Sequence, residues 1–153
     1  MSQVDLEALS QTVRQILHEG HDAMRQIIAG LDADALGWRP GRDTNSIAVL
    51  VAHSLEAERF LVATAADVEV ERDREAQFRI EVAGPDVLLA LIDQREAEID
   101  ALLGRVTAAT LVAGISRPGR THPGAWWLLH ALEHSREHVG QAALTRQLYE
   151  QRS

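Results

Sequence analysis

His130, His134 and His138 stand four residues apart in the stretch LLHALEHSREHVG. On a helix of about 3.6 residues per turn, that interval brings successive rings to one face with a drift of about 40° per step. Two imidazoles so spaced can grip one divalent ion, and a third from a facing helix would leave positions for water or substrate. His53, in line with Leu50, Ala57 and Phe60, is placed to supply that third ring. The chain has no cysteine, so any ion must be held by nitrogen and oxygen. The competing account is a set of separate polar residues at the core edge, each with its own hydrogen bonds. The spacing leaves both accounts open, although several inward-facing neutral imidazoles each demand a partner.

The neighbours of these residues take plainer roles. His130 is assigned to the core edge rather than to the ligand set, and His18, His21 and His122 to solvent-facing positions at a helix end or in turns. Glu56 and Glu58 are expected on a solvated face, as glutamates usually are. Trp126 and Trp127 either wall a pocket beside the histidines or simply pack. Residues 134–138 also spell H-x-x-E-H, a peptidase string in which the glutamate is the general base. That reading is set aside, because such enzymes need a larger scaffold and a distant acidic ligand.

These residues must be positioned by helices. Leu6, Leu9, Val13, Ile16, Leu17, Met24, Ile27, Ile28 and Leu31 recur at the three-and-four spacing of an amphipathic helix. GWRPGRD breaks the pattern. Thr44 or Asn45 can cap a second helix running roughly over 46–66. Residues 67–83, DVEVERDREAQFRIEVA, lack a sustained stripe and read as an ordered crossover loop anchored by Phe78, with VEVER the single weak strand candidate. Pro85 opens a third helix ending near Val106. After the breaker RPGRTHPG, a long last helix starts at Thr121 or His122 and runs to about Tyr149. The expectation is an all-α four-helix bundle with a long crossover between its second and third helices, in one domain over 1–153.

The chain's 153 residues, 46% of them hydrophobic, suffice for one proper core. A formal net charge of −8 argues against binding a phosphate backbone. The start, MSQVDLEALSQTV, lacks the pattern of a signal peptide, and no apolar run approaches a membrane span. A cytoplasmic protein without nucleic-acid or membrane partners is expected.

Three stretches carry a resemblance: NSIAVLVAHSLEAERFL at 45–61, RDREAQF at 72–78 and LLHALEHSREHVGQAALTRQL at 128–148. Together they resemble the DinB-like superfamily, which includes metal-dependent thiol transferases and relatives of mycothiol-dependent maleylpyruvate isomerases. The resemblance spans nearly the whole chain and implies a bundle of up-down-down-up course, often paired as a homodimer. By position it implies that His53, His134 and His138 ligate a divalent ion, zinc or nickel foremost, although some relatives carry Glu at the place of His134. Imidazole suits several such metals. It further implies a low-molecular-weight thiol, necessarily external here, activated by coordination toward a small-molecule substrate. No cluster of basic residues adjoins the histidines in sequence, so Arg59, Arg136 or Arg146 is the candidate to receive that thiol's carboxylates. The alternatives are metal-assisted hydrolysis, or a noncatalytic, stress-related metal-binding homodimer in which His130 or Gln141 closes the ion's shell.

Overall fold

A computed structural model describes residues 2–152 and contains four long helices: α1 (Gln3–Ile28), α3 (Ile47–Ala65), α5 (Pro85–Leu103) and α7 (Gly124–Glu150). Three five-residue helices fill the links, α2 (Ala33–Gly37), α4 (Arg74–Phe78) and α6 (Ala108–Val112), with strands β1 (Gly114–Arg117) and β2 (Arg120–Pro123) before α7. The fold class is all-α. The helix starts follow capping chemistry: the Ser2 hydroxyl accepts from the Asp5 amide, and Pro85 occupies the first turn of α5. The cap of α3 is Ser46, whose hydroxyl accepts from the Val49 amide. Thr44 is unavailable for that role because its hydroxyl closes a turn on the backbone of Gly41.

Contacts between helices fix their relative sense. Arg14 pairs with Asp100 and Arg25 with Asp93, so α1 and α5 run oppositely. Glu56 pairs with Arg95, and Arg59 lies 3.8 Å from Glu98, so α3 and α5 run together. Arg136 donates to the Ile16 carbonyl and Arg146 to those of Gln26 and Ile27, so α1 and α7 also run together.

The core has two apolar ends with a polar layer between them. One end gathers Leu17, Leu61, Ile99, Leu103, Trp127 and Leu128; the other gathers Met24, Ile28, Leu36, Ile47, Leu55, Leu88 and Ile92. At the intermediate level each long helix contributes a polar side chain: His21 from α1, Glu58 from α3, Glu96 from α5 and Ser135 from α7. His21, Glu58 and Ser135 are buried.

The expected breaker before α7 is a hairpin. Its strands pair Ile115 with His122 and Arg117 with Arg120 across a Pro118-Gly119 turn, in which Gly119 takes φ +85°, a conformation open to glycine. The indole of Trp127 donates to the carbonyls of Ile115 and His122 and so ties the hairpin to α7. Helix α7 therefore begins at Gly124, later than Thr121 or His122. A side chain at Gly124 would meet the Thr110 carbonyl oxygen at 2.2 Å. The VEVER stretch forms no strand. In the crossover, Gln77 is the buried residue and Phe78 is half-buried.

Candidate metal centre

His53 faces inward from the middle of α3, and His134 and His138 from successive turns of α7. The ring centroids lie 5.1 Å (His53–His134), 5.0 Å (His53–His138) and 4.4 Å (His134–His138) apart. One ring nitrogen from each falls within 4.8 Å of the others, so the three could hold a metal ion. The Nε2 atoms of His134 and His138 are 3.3 Å apart. Two nitrogens each about 2.0–2.1 Å from a tetrahedral zinc ion would be separated by about 3.3 Å, so the His134–His138 pair fits such an ion, with His53 close enough to be the third donor.

Hydrogen bonds outside the cluster aim the rings. Nδ1–H of His53 donates to Oε1 of Gln77 on α4 at 3.0 Å, which leaves its Nε2 with a lone pair for the cluster. Nδ1–H of His138 donates to Oε1 of Gln141 at 2.8 Å, and the Gln141 amide in turn donates to Glu137. Glu137, the would-be base of the peptidase string, is exposed and steadies this chain of bonds. Nδ1 of His134 is buried without a hydrogen-bond partner among the described residues. Burial is the main reason the pKa of His134 falls to about 3, with His138 and His53 adding to it. Burial likewise brings His53 to about 4, against the opposing bond from Gln77, with His138, Arg72 and Arg74 lowering it further. Both rings are therefore neutral near pH 7, the form in which imidazole offers a lone pair.

The cluster opens onto a cavity of about 670 Å³. Ala57, Phe60, Leu61 and Trp127 give it apolar walls, His130 lies beside His134, and Arg72, Arg74, Arg117 and Arg120 also line it. Trp127 both packs in the core and walls the cavity, whereas Trp126 stacks on His122 with centroids 3.9 Å apart. His130 bonds Glu133 through Nδ1 and stands apart from the three-histidine group.

The family profile of the DinB superfamily matches residues 16–142, which hold all three histidines. The chain belongs to the DinB superfamily. Its fold is similar to that of a conserved protein from Enterococcus faecalis (TM-score 0.78, 15% identity, covering 94% of this chain and 98% of that one). It is also similar to a DinB-like protein from Bacillus subtilis (TM-score 0.70, 18% identity, 89% and 90% covered) and to one from Bacillus cereus (TM-score 0.72, 12% identity, 90% and 90% covered). Among curated proteins none matches the chain significantly. No helix among the described residues is long and apolar enough to cross a membrane.

Several residues differ from their sequence assignment. His21 is fully buried inside α1, its Nε2 2.8 Å from Glu58 and its Nδ1 2.9 Å from Glu96. Glu58 is equally buried and also accepts from the Ser54 hydroxyl, while Glu56 is paired to Arg59 and Arg95. His18, likewise mid-helix, bonds Asp100. The three arginines expected to serve the site are engaged elsewhere. Arg59 pairs with Glu56, Arg136 with Glu19, and Arg146 covers the last carbonyls of α1, where a cation also meets the helix dipole favourably. The cavity arginines come instead from the crossover and the hairpin, a juxtaposition that only the tertiary fold creates.

Proposed function

We propose that this protein is a metal-dependent enzyme of thiol-transferase type, with His53, His134 and His138 holding a divalent ion, zinc or nickel foremost. The observation that carries the reading is convergence of three imidazoles, two of them (His53 and His134) in the wall of an accessible cavity, without a fourth protein ligand among the described residues. A closed, purely structural site would need His130 or Gln141 to complete the shell. His130 stands apart from the group, and the Gln141 carbonyl is occupied in orienting His138. An ion bound here would supply Lewis acidity, lowering the pKa of a thiol or water at its open position.

The chain's own residues divide the remaining work. Gln77 and Gln141 hold the ligand rings in one tautomer. Phe60, Leu61 and Trp127 form an apolar wall for the acceptor substrate and limit water beside the reacting sulfur. His130 faces the same cavity with Nδ1 bonded to the Glu133 carboxylate, so its Nε2 is available to take the proton a thiol loses. The chain has no cysteine, so the thiol must come from outside.

The test is metal analysis of purified wild type, His53→Ala and His138→Ala, followed by an assay for conjugation of small thiols to an electrophile. Near-stoichiometric metal in the wild type, lost in both variants, together with conjugation that stops on chelation, is the expected result. Absence of metal after reconstitution would overturn the reading. Metal without thiol-dependent turnover would remove the transferase assignment and leave the centre.

A further inference from the structure

The cavity beside the three histidines is cationic in a protein whose formal net charge is −8. Its lining includes four arginines and no aspartate or glutamate. Three of them, Arg72, Arg74 and Arg120, have no carboxylate within salt-bridge distance among the described residues. The fourth, Arg117, donates to the carbonyls of Ser116 and Val68 and lies 3.9 Å from Asp67. Aromatic faces hold three of the guanidinium groups in place: Arg72 over Phe60 at 5.6 Å, Arg74 over Phe78 at 5.0 Å and Arg120 over Trp126 at 6.0 Å. Contact of this kind restrains a guanidinium group from its face and leaves N–H donors on its edge for a ligand.

Arg72 is the most telling of the four. It is half-buried, one Nη bonds Oε1 of Gln77 at 3.3 Å, and its Nε is buried with no partner among the described residues. A buried donor on a cation is costly to leave unmet, and a carboxylate or phosphate meets such a fork with two parallel bonds. Gln77 accepts from both Arg72 and His53, so the same side chain holds the arginine and the first metal-site ring.

We infer that this cavity binds a small organic oxyanion, its carboxylate or phosphate received by Arg72 and Arg74 on the crossover and Arg120 on the hairpin, its apolar body lying on Phe60, Leu61 and Trp127. For its place in the reaction the inference rests on the enzyme reading above, where the anion is the substrate or the acidic end of the thiol. Binding itself rests on the arginines and needs no ion. The field has the sign to attract such ligands against the overall charge of the protein.

The experiment is calorimetric titration of chelator-treated and metal-loaded protein with benzoate, phenyl phosphate and the neutral analogue benzamide. The variants are the double change Arg72→Gln with Arg74→Gln, and the exposed single change Arg120→Gln, each checked for wild-type circular dichroism. In metal-free wild type, benzoate or phenyl phosphate should bind at least tenfold more tightly than benzamide, and whichever anion binds better names the acid group. The double variant should erase that preference, and Arg120→Gln should reduce it severalfold. Equal binding of benzamide, or an anion preference that survives both variants, overturns the inference. So does anion binding that appears only with metal and ignores the arginine changes, since the ion itself would then be the receptor. A protein that takes up no metal yet retains an arginine-dependent anion preference would fail the enzyme reading while upholding this one.

Discussion

Two histidine sites lie in this bundle, the single ring of His21 and the cluster of His53, His134 and His138, and they are built on opposite electrostatic plans. At His21 both ring nitrogens meet carboxylates, Glu58 at 2.8 Å and Glu96 at 2.9 Å. Ser54 completes Glu58, and Arg25 braces Glu96. Burial alone would depress the pKa of His21, but the bonds and charges of the two glutamates outweigh it and raise the value. With an acceptor at each nitrogen, that ring is held toward the imidazolium form and both of its donors are consumed. At His53, His134 and His138 no carboxylate joins the group among the described residues, the outer nitrogens of two rings bond neutral amides, and lone pairs converge. A buried histidine surrounded by acids serves the fold, whereas histidines grouped with one another and no acid could hold a cation.

Reciprocal substitutions test that contrast most severely. His21→Leu should leave Glu58 as a buried charge facing an apolar side chain and cost about 3–5 kcal/mol, the usual penalty for breaking a buried pair from one side. Its metal content should remain that of the wild type. His134→Leu should abolish near-stoichiometric metal binding while leaving the metal-free fold no less stable, because the lost ring carries an unpartnered buried nitrogen. Urea unfolding and elemental analysis on both variants decide the matter. If His21→Leu also lost metal, or His134→Leu unfolded like His21→Leu, the division into structural and ligand histidines would collapse.

Gln77→Leu narrows the comparison to one hydrogen bond. It removes the acceptor that fixes the His53 tautomer, and changes of this type typically weaken metal affinity by about 10–100-fold. Competition with a chromogenic chelator measures it. Unchanged affinity would mean that His53 is oriented by packing alone, with the Phe78 ring at 4.8 Å among its neighbours.

The two groups also differ in how far the sequence disclosed them. The i, i+4 repeat of α7 was legible because helical geometry alone puts His134 and His138 on one face, and His53 followed from its apolar stripe. The His21 network was not legible. Its members are 37 and 75 residues apart, and a glutamate on a helix reads as solvated until a partner from another helix arrives. The same applies to the arginines, since Arg72 and Arg120 meet only because the crossover and the hairpin close on one cavity. The hairpin itself left little trace. Ile115 is its single buried strand residue, too short a pattern for period-two alternation, and only Pro118-Gly119 marked the turn. Gln77 is not legible either, because a polar residue in a charged crossover carries no sign of burial.

Proton linkage separates the groups by direction. In metal-free protein, His53 and His134 titrate near about 4 and about 3, below the ordinary histidine value. Between these values and about 6.5 the unfolded chain binds protons that the native rings refuse, so this pair makes stability fall as pH drops through that window. His21 works the other way. Its raised value gives stabilisation that is complete below about 6.5 and fades as pH rises through the native pKa. Unfolding free energies across pH 5 to 9 should show His134→Leu flattening the acid limb and His21→Gln flattening the alkaline limb. An exchange of those effects would reverse the assignment of charge.

The smallest effect should come from the residue beside the candidate metal site that points away from it. Ser135 follows His134 directly, yet the helix turns its hydroxyl toward α1, where the close approach of Gly20 leaves it buried and without a partner among the described residues. Ser135→Ala removes a polar atom that makes no hydrogen bond. The variant should therefore equal or exceed wild-type stability, by up to about 1 kcal/mol, and keep its metal affinity. Thermal unfolding with and without zinc measures both. A clear loss of stability would mean that the hydroxyl is hydrogen-bonded within the His21 layer, and a loss of metal would mean that the two faces of α7 are coupled through a single residue.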